Sequence, residues 1–378
     1  MQTENGSPTA SNQESTRLAG IDAARVFATL LVVLHHTAIT YGAIGGWFYK
    51  EVLPNSSPSS RLLVFFCTLN QAWFMGFFFL LAGYFTAPAL HSRGPGRYLR
   101  ERLRRLGLPL LFFGFVLGPF TIALARTAQG HELWGSLLGL WQRGVFEMGP
   151  LWFAWALLLL TGLTLPAWRR LGAPRPFPGN RSMALAALLT GLAAFALRLV
   201  WPVGTEVWGL QIGYFATYVV LYVTGLLAAP GHWLARWPPA QVLRWRAIAW
   251  AALPMLPLVA LFGGPWLGLQ GRPEGGFSVP ALVYALWEPL VAWGVILSLL
   301  QRTRLNWQNP GPLGQALARR AFAIFIIHPP VVVGVALAWA SVAAPPLLKF
   351  ALTGTAACLI CFVLAGVLLQ VPGLRRVL

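Results

Sequence analysis

The chain is 378 residues long, 57% hydrophobic and only 10% charged, far below the roughly 25% charged content of a soluble domain. Its formal charge of +18 invites a nucleic-acid reading, but the basic residues collect in alternate connections between long apolar runs, which argues for a membrane and against nucleic acid. Three cysteines, Cys67, Cys358 and Cys361, sit in apolar surroundings and supply no disulfide framework. The Cys358–Cys361 CxxC lacks the second pair and polar flanks of a metal or redox site, so packing is its expected role.

Residues 1–18 are polar and lack a basic n-region, and they read as a disordered cytoplasmic tail. A ten-helix membrane domain is expected over residues 19–372, with candidate spans at 20–42, 61–87, 106–127, 150–168, 182–201, 209–229, 245–263, 279–300, 319–341 and 346–370. Each is a mostly apolar window of about 20 residues, long enough to cross a bilayer as a helix. The segments before span one and after every even span, with their flanks, hold 20 of the 28 basic residues. That alternation is the positive-inside pattern and puts both termini in the cytoplasm. The expected fold class is therefore an all-α integral membrane protein. The connections are rich in proline and glycine, as between Gly172 and Gly179, and none forms a soluble domain. No internal repeat of the kind that marks many transporters stands out.

Span one carries Asp22, Arg25, His35 and His36. A charge at mid-bilayer costs at least ~2.5–3.5 kcal/mol on insertion scales, and such residues are functional by default. Arg25 and His36 are 11 positions apart, which returns a helix to within about 20° of the same direction and separates them by about 16 Å along the axis. Asp22 lies about 60° from Arg25, and His35 points about 80° away. One helix face thus joins Arg25, near the cytoplasmic side, to His36, deep towards the outer half. The plainer alternative is an Asp22–Arg25 ion pair with imidazoles bonded to neighbouring carbonyls.

The segment from Arg97 to Pro109 is the densest charge feature and reads as a surface helix running into span three. Arg102 and Arg105, three apart, occupy neighbouring positions of one face. They suit anionic headgroups or a phosphate-bearing cytosolic substrate. In span eight Glu288 precedes a proline and needs a cationic or hydrogen-bonding partner that the sequence does not name. In span nine His328 precedes Pro329 and Pro330, and the carbonyls that prolines free need polar surroundings. His328 is expected to line a cavity.

Five stretches, in order, carry a resemblance: Ile21-Asp-Ala-Ala-Arg25 with His36, spaced R-x10-H; Phe77-Phe-Phe-Leu-Leu-Ala-Gly-Tyr84; Arg102-Leu-Arg-Arg105 leading to Leu108-Pro109; Gly149-Pro-Leu-Trp-Phe153; and Phe322 to Pro330. Together they resemble the membrane-bound acyltransferase 3 family, in particular its glucan succinyltransferase-like branch, over nearly all ten spans. Ala82 and Pro150 stand where many relatives carry Ser and His. The resemblance implies an O-acyltransferase of the bacterial inner membrane. It would move an acyl group from cytosolic acyl-CoA, a co-substrate and not a bound cofactor, to a hydroxyl of an extracytoplasmic glycan or cell-envelope acceptor. His36, Arg25 and Asp22 are then the catalytic candidates, and His35, Arg102, Arg105, Trp152, Glu288 and His328 the substrate-binding ones, with no metal.

The chemistry suits those residues. A sugar hydroxyl attacks a thioester once a base takes its proton, and a neutral imidazole is such a base. Arg25 either stabilises the developing oxyanion or holds the donor's pantetheine or phosphates. The alternative function is a proton-coupled transporter or flippase of a glycan or lipid-linked substrate, with Asp22, Glu288 and the histidines as a relay.

Overall fold

Apolar windows become helices, and proline stands in the first turn of most of them, where its missing N–H costs no hydrogen bond. The computed structural model describes residues 10–377 and contains no strand among them. The helices are α1 (Ala10–Thr40), α2 (Pro58–Arg93), α3 (Pro95–Gln129), α4 (Leu133–Gln142), α5 (Gly149–Arg170), α6 (Asn180–Val200), α7 (Ile212–Ala228), α8 (Pro239–Gly263), α9 (Val279–Asn306), α10 (Pro312–Ala338) and α11 (Pro346–Leu368). Among the described residues, nine are long and apolar enough to cross a membrane, which makes this a multi-pass membrane protein.

One expectation is corrected. The sixth of the ten predicted spans, 209–229, yields the short apolar helix α7, about 25 Å long against a hydrocarbon core of about 30 Å. The chain before it is held out of helix by Gly204, Trp208 and Gly209, all at positive φ. Of the predicted tail 1–18, residues 1–9 lie outside the described ones, and α1 begins at Ala10.

The short helix packs along α2 and also touches α6. At the crossing, Gly83 of α2 faces the backbone of Tyr222, and Gly225 of α7 faces that of Leu80; a Cβ at either would lie about 2 Å from a carbonyl oxygen. Only glycine permits that approach, as in other small-residue crossings of membrane helices. The glycine of the Phe77–Tyr84 motif is therefore a packing device. On the other side, α1 is held between α2, α10 and α11, and α9 packs on α6 and α8.

Charges inside this bundle are paired. Arg198 of α6 and Glu288 of α9 are fully buried and ion-paired. The Arg198 Nε donates to the Gly213 carbonyl at 2.9 Å, and the guanidinium lies 4.7 Å from the Tyr284 ring and 5.3 Å from that of Tyr214. Arg198, although near the end of α6, belongs to the core. Removing one partner strands the other charge, so Glu288→Ala is expected to cost about 3–5 kcal/mol, whereas a double change to Arg198→Met and Glu288→Leu restores most of that. Thermal unfolding in detergent measures both.

Candidate active site

His36 of α1 and His328 of α10 meet: the Nδ1 of His36 lies 2.9 Å from the Nε2 of His328, and the rings are 5.0 Å apart and nearly parallel. The direction of this bond follows from the sequence of α10. Pro329 has no N–H, so the Phe325 carbonyl four residues before it loses its helical donor. The His328 Nδ1, 2.8 Å away, takes that place. A carbonyl only accepts, so Nδ1 carries the proton, and the Nε2 of a neutral His328 is an acceptor. The Nδ1–H of His36 must then donate to it. The Nε2 of His36 is left with its lone pair and with no protein hydrogen-bond partner among the described residues. Two ordered imidazoles and a proline-freed carbonyl thus fix the tautomer of His36, the role a third group plays in orienting a base. The same device recurs at Pro119, where the freed Phe115 carbonyl accepts from the Trp141 indole at 2.8 Å.

A third ring covers the pair. Trp47, in the connection between α1 and α2, stacks on His36 at 4.1 Å with an interplanar angle of 12°, and is parallel to His328 at 5.9 Å. Such a stack contributes about 0.5–1.5 kcal/mol beyond its burial, and its face attracts an imidazolium when His36 is protonated. The sequence reading missed Trp47; it sits 11 residues past His36 in a loop with no periodicity to place it. The loop is tied down by backbone donation from Glu51 and Val52 to the Thr40 carbonyl at 2.9 and 3.1 Å. Glu51 is also ion-paired with the buried Lys349 of α11, whose ammonium donates to the Ala340 carbonyl at 3.3 Å.

The other predicted residues divide. His35 is buried against Phe74, ring to ring at 5.1 Å, and turns away from His328 towards α2. Arg25 pairs with Asp22 at 2.7 Å, and both are about 40% exposed. Because α1 runs unbroken through both positions, Arg25 stays about 16 Å and Asp22 about 21 Å along the axis from His36. Arg102 is turned inwards, donating to the Tyr98 hydroxyl at 2.7 Å and the Thr86 hydroxyl at 3.0 Å. Arg105 is exposed, whereas Arg102 is half-buried, and a π-helical turn, Leu103–Gly107, begins between them. Its i→i+5 bonding underwinds the helix there. Trp152 stacks on Tyr218 at 5.7 Å, in an aromatic cluster with Phe79 and Phe153 that reaches Phe325. Gly149, just before it, has φ +44° and lies under Phe113, which explains the glycine of that motif. Glu288 is held by Arg198 and does not join the histidines. Among the described residues no group of three or more His, Cys, Asp or Glu is placed to hold a metal ion.

A helical membrane protein with an oriented histidine base inside its bundle is a class that includes acyl-transfer enzymes. The acyltransferase-domain family matches residues 18–366, and the chain belongs to that family, acyltransferase 3. It is similar to glucans biosynthesis protein C of Salmonella schwarzengrund (strain CVM19633) and of Salmonella agona (strain SL483), in each case 25% identical over 225 residues, covering 55% of this chain. The match covers 57% of those relatives' own length, so the chain spans little more than half of them. No solved structure matches.

Replacing Lys349 with Met removes the pin on the Trp47 loop. A hydrogen bond to a charged group contributes about 1.5–3 kcal/mol, so amide exchange across residues 42–56 is expected to accelerate roughly tenfold or more. Exchange in α10 stays unchanged; hydrogen–deuterium exchange with mass spectrometry reads both.

Proposed function

We propose that the protein is a membrane O-acyltransferase that moves an acyl group from cytosolic acyl-CoA to a hydroxyl of an extracytoplasmic glycan. The observation that carries this reading is the free Nε2 of His36, fixed by His328. The family and the similarity to glucans biosynthesis proteins support the acyl-transfer class and a glucan-like acceptor. The alternation of basic residues supports a bacterial inner membrane orientation with both termini in the cytoplasm.

In this mechanism the acceptor hydroxyl gives its proton to the Nε2 of His36 as its oxygen bonds to the thioester carbonyl carbon. The C–S bond then breaks, and the departing thiolate of CoA takes the proton back from His36. The imidazolium formed in between is stabilised by the bond to His328 and by the face of Trp47. The distance along α1 gives Arg25 the donor's pantetheine or phosphates and not the oxyanion. Asp22 orients Arg25, and Arg102, held by Tyr98 and Thr86, adds a second cation for the donor. The transporter alternative relied on Asp22 and Glu288 as proton carriers, and both are engaged with arginines.

His36→Ala is expected to insert normally and lose at least about 100-fold of its transfer rate, the contribution of a positioned base. His328→Gln, which keeps an acceptor oxygen for His36, retains more activity than His328→Ala. Transfer of radiolabelled acyl groups to the glycan fraction and thiol release from a panel of acyl-CoA donors measure this. Full activity of His36→Ala overturns the assignment.

A further inference from the structure

We propose that Asn70 of α2 and His35 of α1 form the subsite that holds the acceptor sugar beside His36, by hydrogen bonds to sugar hydroxyls; this rests on the acyltransferase reading. Both side chains are at least nine-tenths buried, at 4% and 9% exposure. The Nδ2 of Asn70 and the Nδ1 of His35 have no hydrogen-bond partner among the described residues, and neither does the buried Nε1 of Trp47. A buried polar group is normally paired, because leaving it unpaired forfeits its hydration.

Register puts the two on facing surfaces. The Cys67 thiol donates to the His35 carbonyl at 3.6 Å, and Phe74 lies 5.1 Å from the His35 ring. Asn70 follows Cys67 by three residues and precedes Phe74 by four, so it occupies the same face of α2, opposite His35. The rings of His35 and His36 are 5.6 Å apart, edge to face. The unpaired donors therefore flank the base on its α2 side, while His328 occupies its α10 side.

The chemistry selects a polyhydroxyl compound. The Asn70 amide offers two donors and one acceptor group, and an imidazole nitrogen offers either role according to tautomer. Neighbouring hydroxyls on a sugar ring each donate once and accept twice, so they can satisfy both groups while a third hydroxyl faces the Nε2 of His36. An acyl chain or a simple alcohol leaves at least one of the two unpaired. Trp47, stacked on His36, places its indole N–H at the rim of the same region. Asn70, His35 and Trp47 are neutral groups, in contrast to the Arg25 and Arg102 end, which suits a neutral sugar and not a phosphate.

The test is the isosteric change Asn70→Leu in full-length protein. If Asn70 serves a ligand, removing its unpaired amide leaves the melting temperature equal or higher. At the same time the KM for a gluco-oligosaccharide acceptor rises at least tenfold, with the KM for acyl-CoA within twofold of wild type. Binding of the same oligosaccharide without donor weakens by a similar factor, and Asn70→Gln recovers part of it. A lowered melting temperature with unchanged oligosaccharide binding marks a structural or water-bound amide and overturns the subsite. When wild-type protein binds the oligosaccharide and Asn70→Leu binds it equally well, the subsite fails alone. When wild-type protein neither binds nor acylates the oligosaccharide, the glycan reading fails and takes the subsite with it.

Discussion

A single hydrogen bond, 2.9 Å between two imidazoles, joins α1 to α10 and gives the bundle a chemical direction. It has one orientation because Pro329 removes the N–H that would occupy the Phe325 carbonyl, and His328 fills that place. Without the proline, the carbonyl would be spent in the helix, and His328 could take either tautomer. The dipeptide His328-Pro329 is thus a small machine for fixing a proton, and His36 inherits the result. In a serine protease triad a carboxylate orients the histidine; here a carbonyl-backed imidazole does so without adding net charge to a low-dielectric interior.

That economy of charge runs through the whole bundle. Among the described residues the charges buried deep inside are matched: Arg198 with Glu288, and Lys349 with Glu51. Both pairs connect segments distant in sequence, and an isolated ion in such surroundings would cost several kcal/mol. They do different work. The first closes the α6–α9 contact under two tyrosine rings. The second reaches from α11 to the loop that lays Trp47 over the histidines, so the cover of the site is held by an ion pair on the far side of α1.

Much of this was legible in the sequence, and the limits have physical causes. The cost of charge in lipid made α1 conspicuous, and 3.6-residue periodicity separated His36 from His35. The proline after His328 marked a freed carbonyl. What sequence could not give was pairing across helices. Glu288 demanded a partner, but nothing local pointed to Arg198, 90 residues away. Trp47 lies in a loop whose path depends on an ion pair formed 298 residues apart. α-Helical spacing alone does not show that Arg102 turns inwards while Arg105 stays exposed across a π turn. The sixth span was counted by hydropathy, which does not register that its first residue, Gly209, and Gly204 and Trp208 before it have positive φ.

The straightness of α1 constrains the chemistry further. Arg25 and His36 belong to one uninterrupted helix, so their separation of about 16 Å is set by the rise per residue and cannot be closed by a side-chain rotation. Any reaction that uses both needs a substrate long enough to lie along the helix. A short activated acyl group, such as an acyl phosphate, could touch one end but not both. An acyl thioester carried on a pantetheine arm, with its phosphates at the arginine end, can do so. A polar nucleotide at one end and a sugar hydroxyl at the other would then meet across the apolar middle of a single helix, where Thr29 and the aliphatic residues after it offer no competing nucleophile with a base beside it. In the proposed reaction, the length of the donor, more than the identity of its acyl group, is what this arrangement would select.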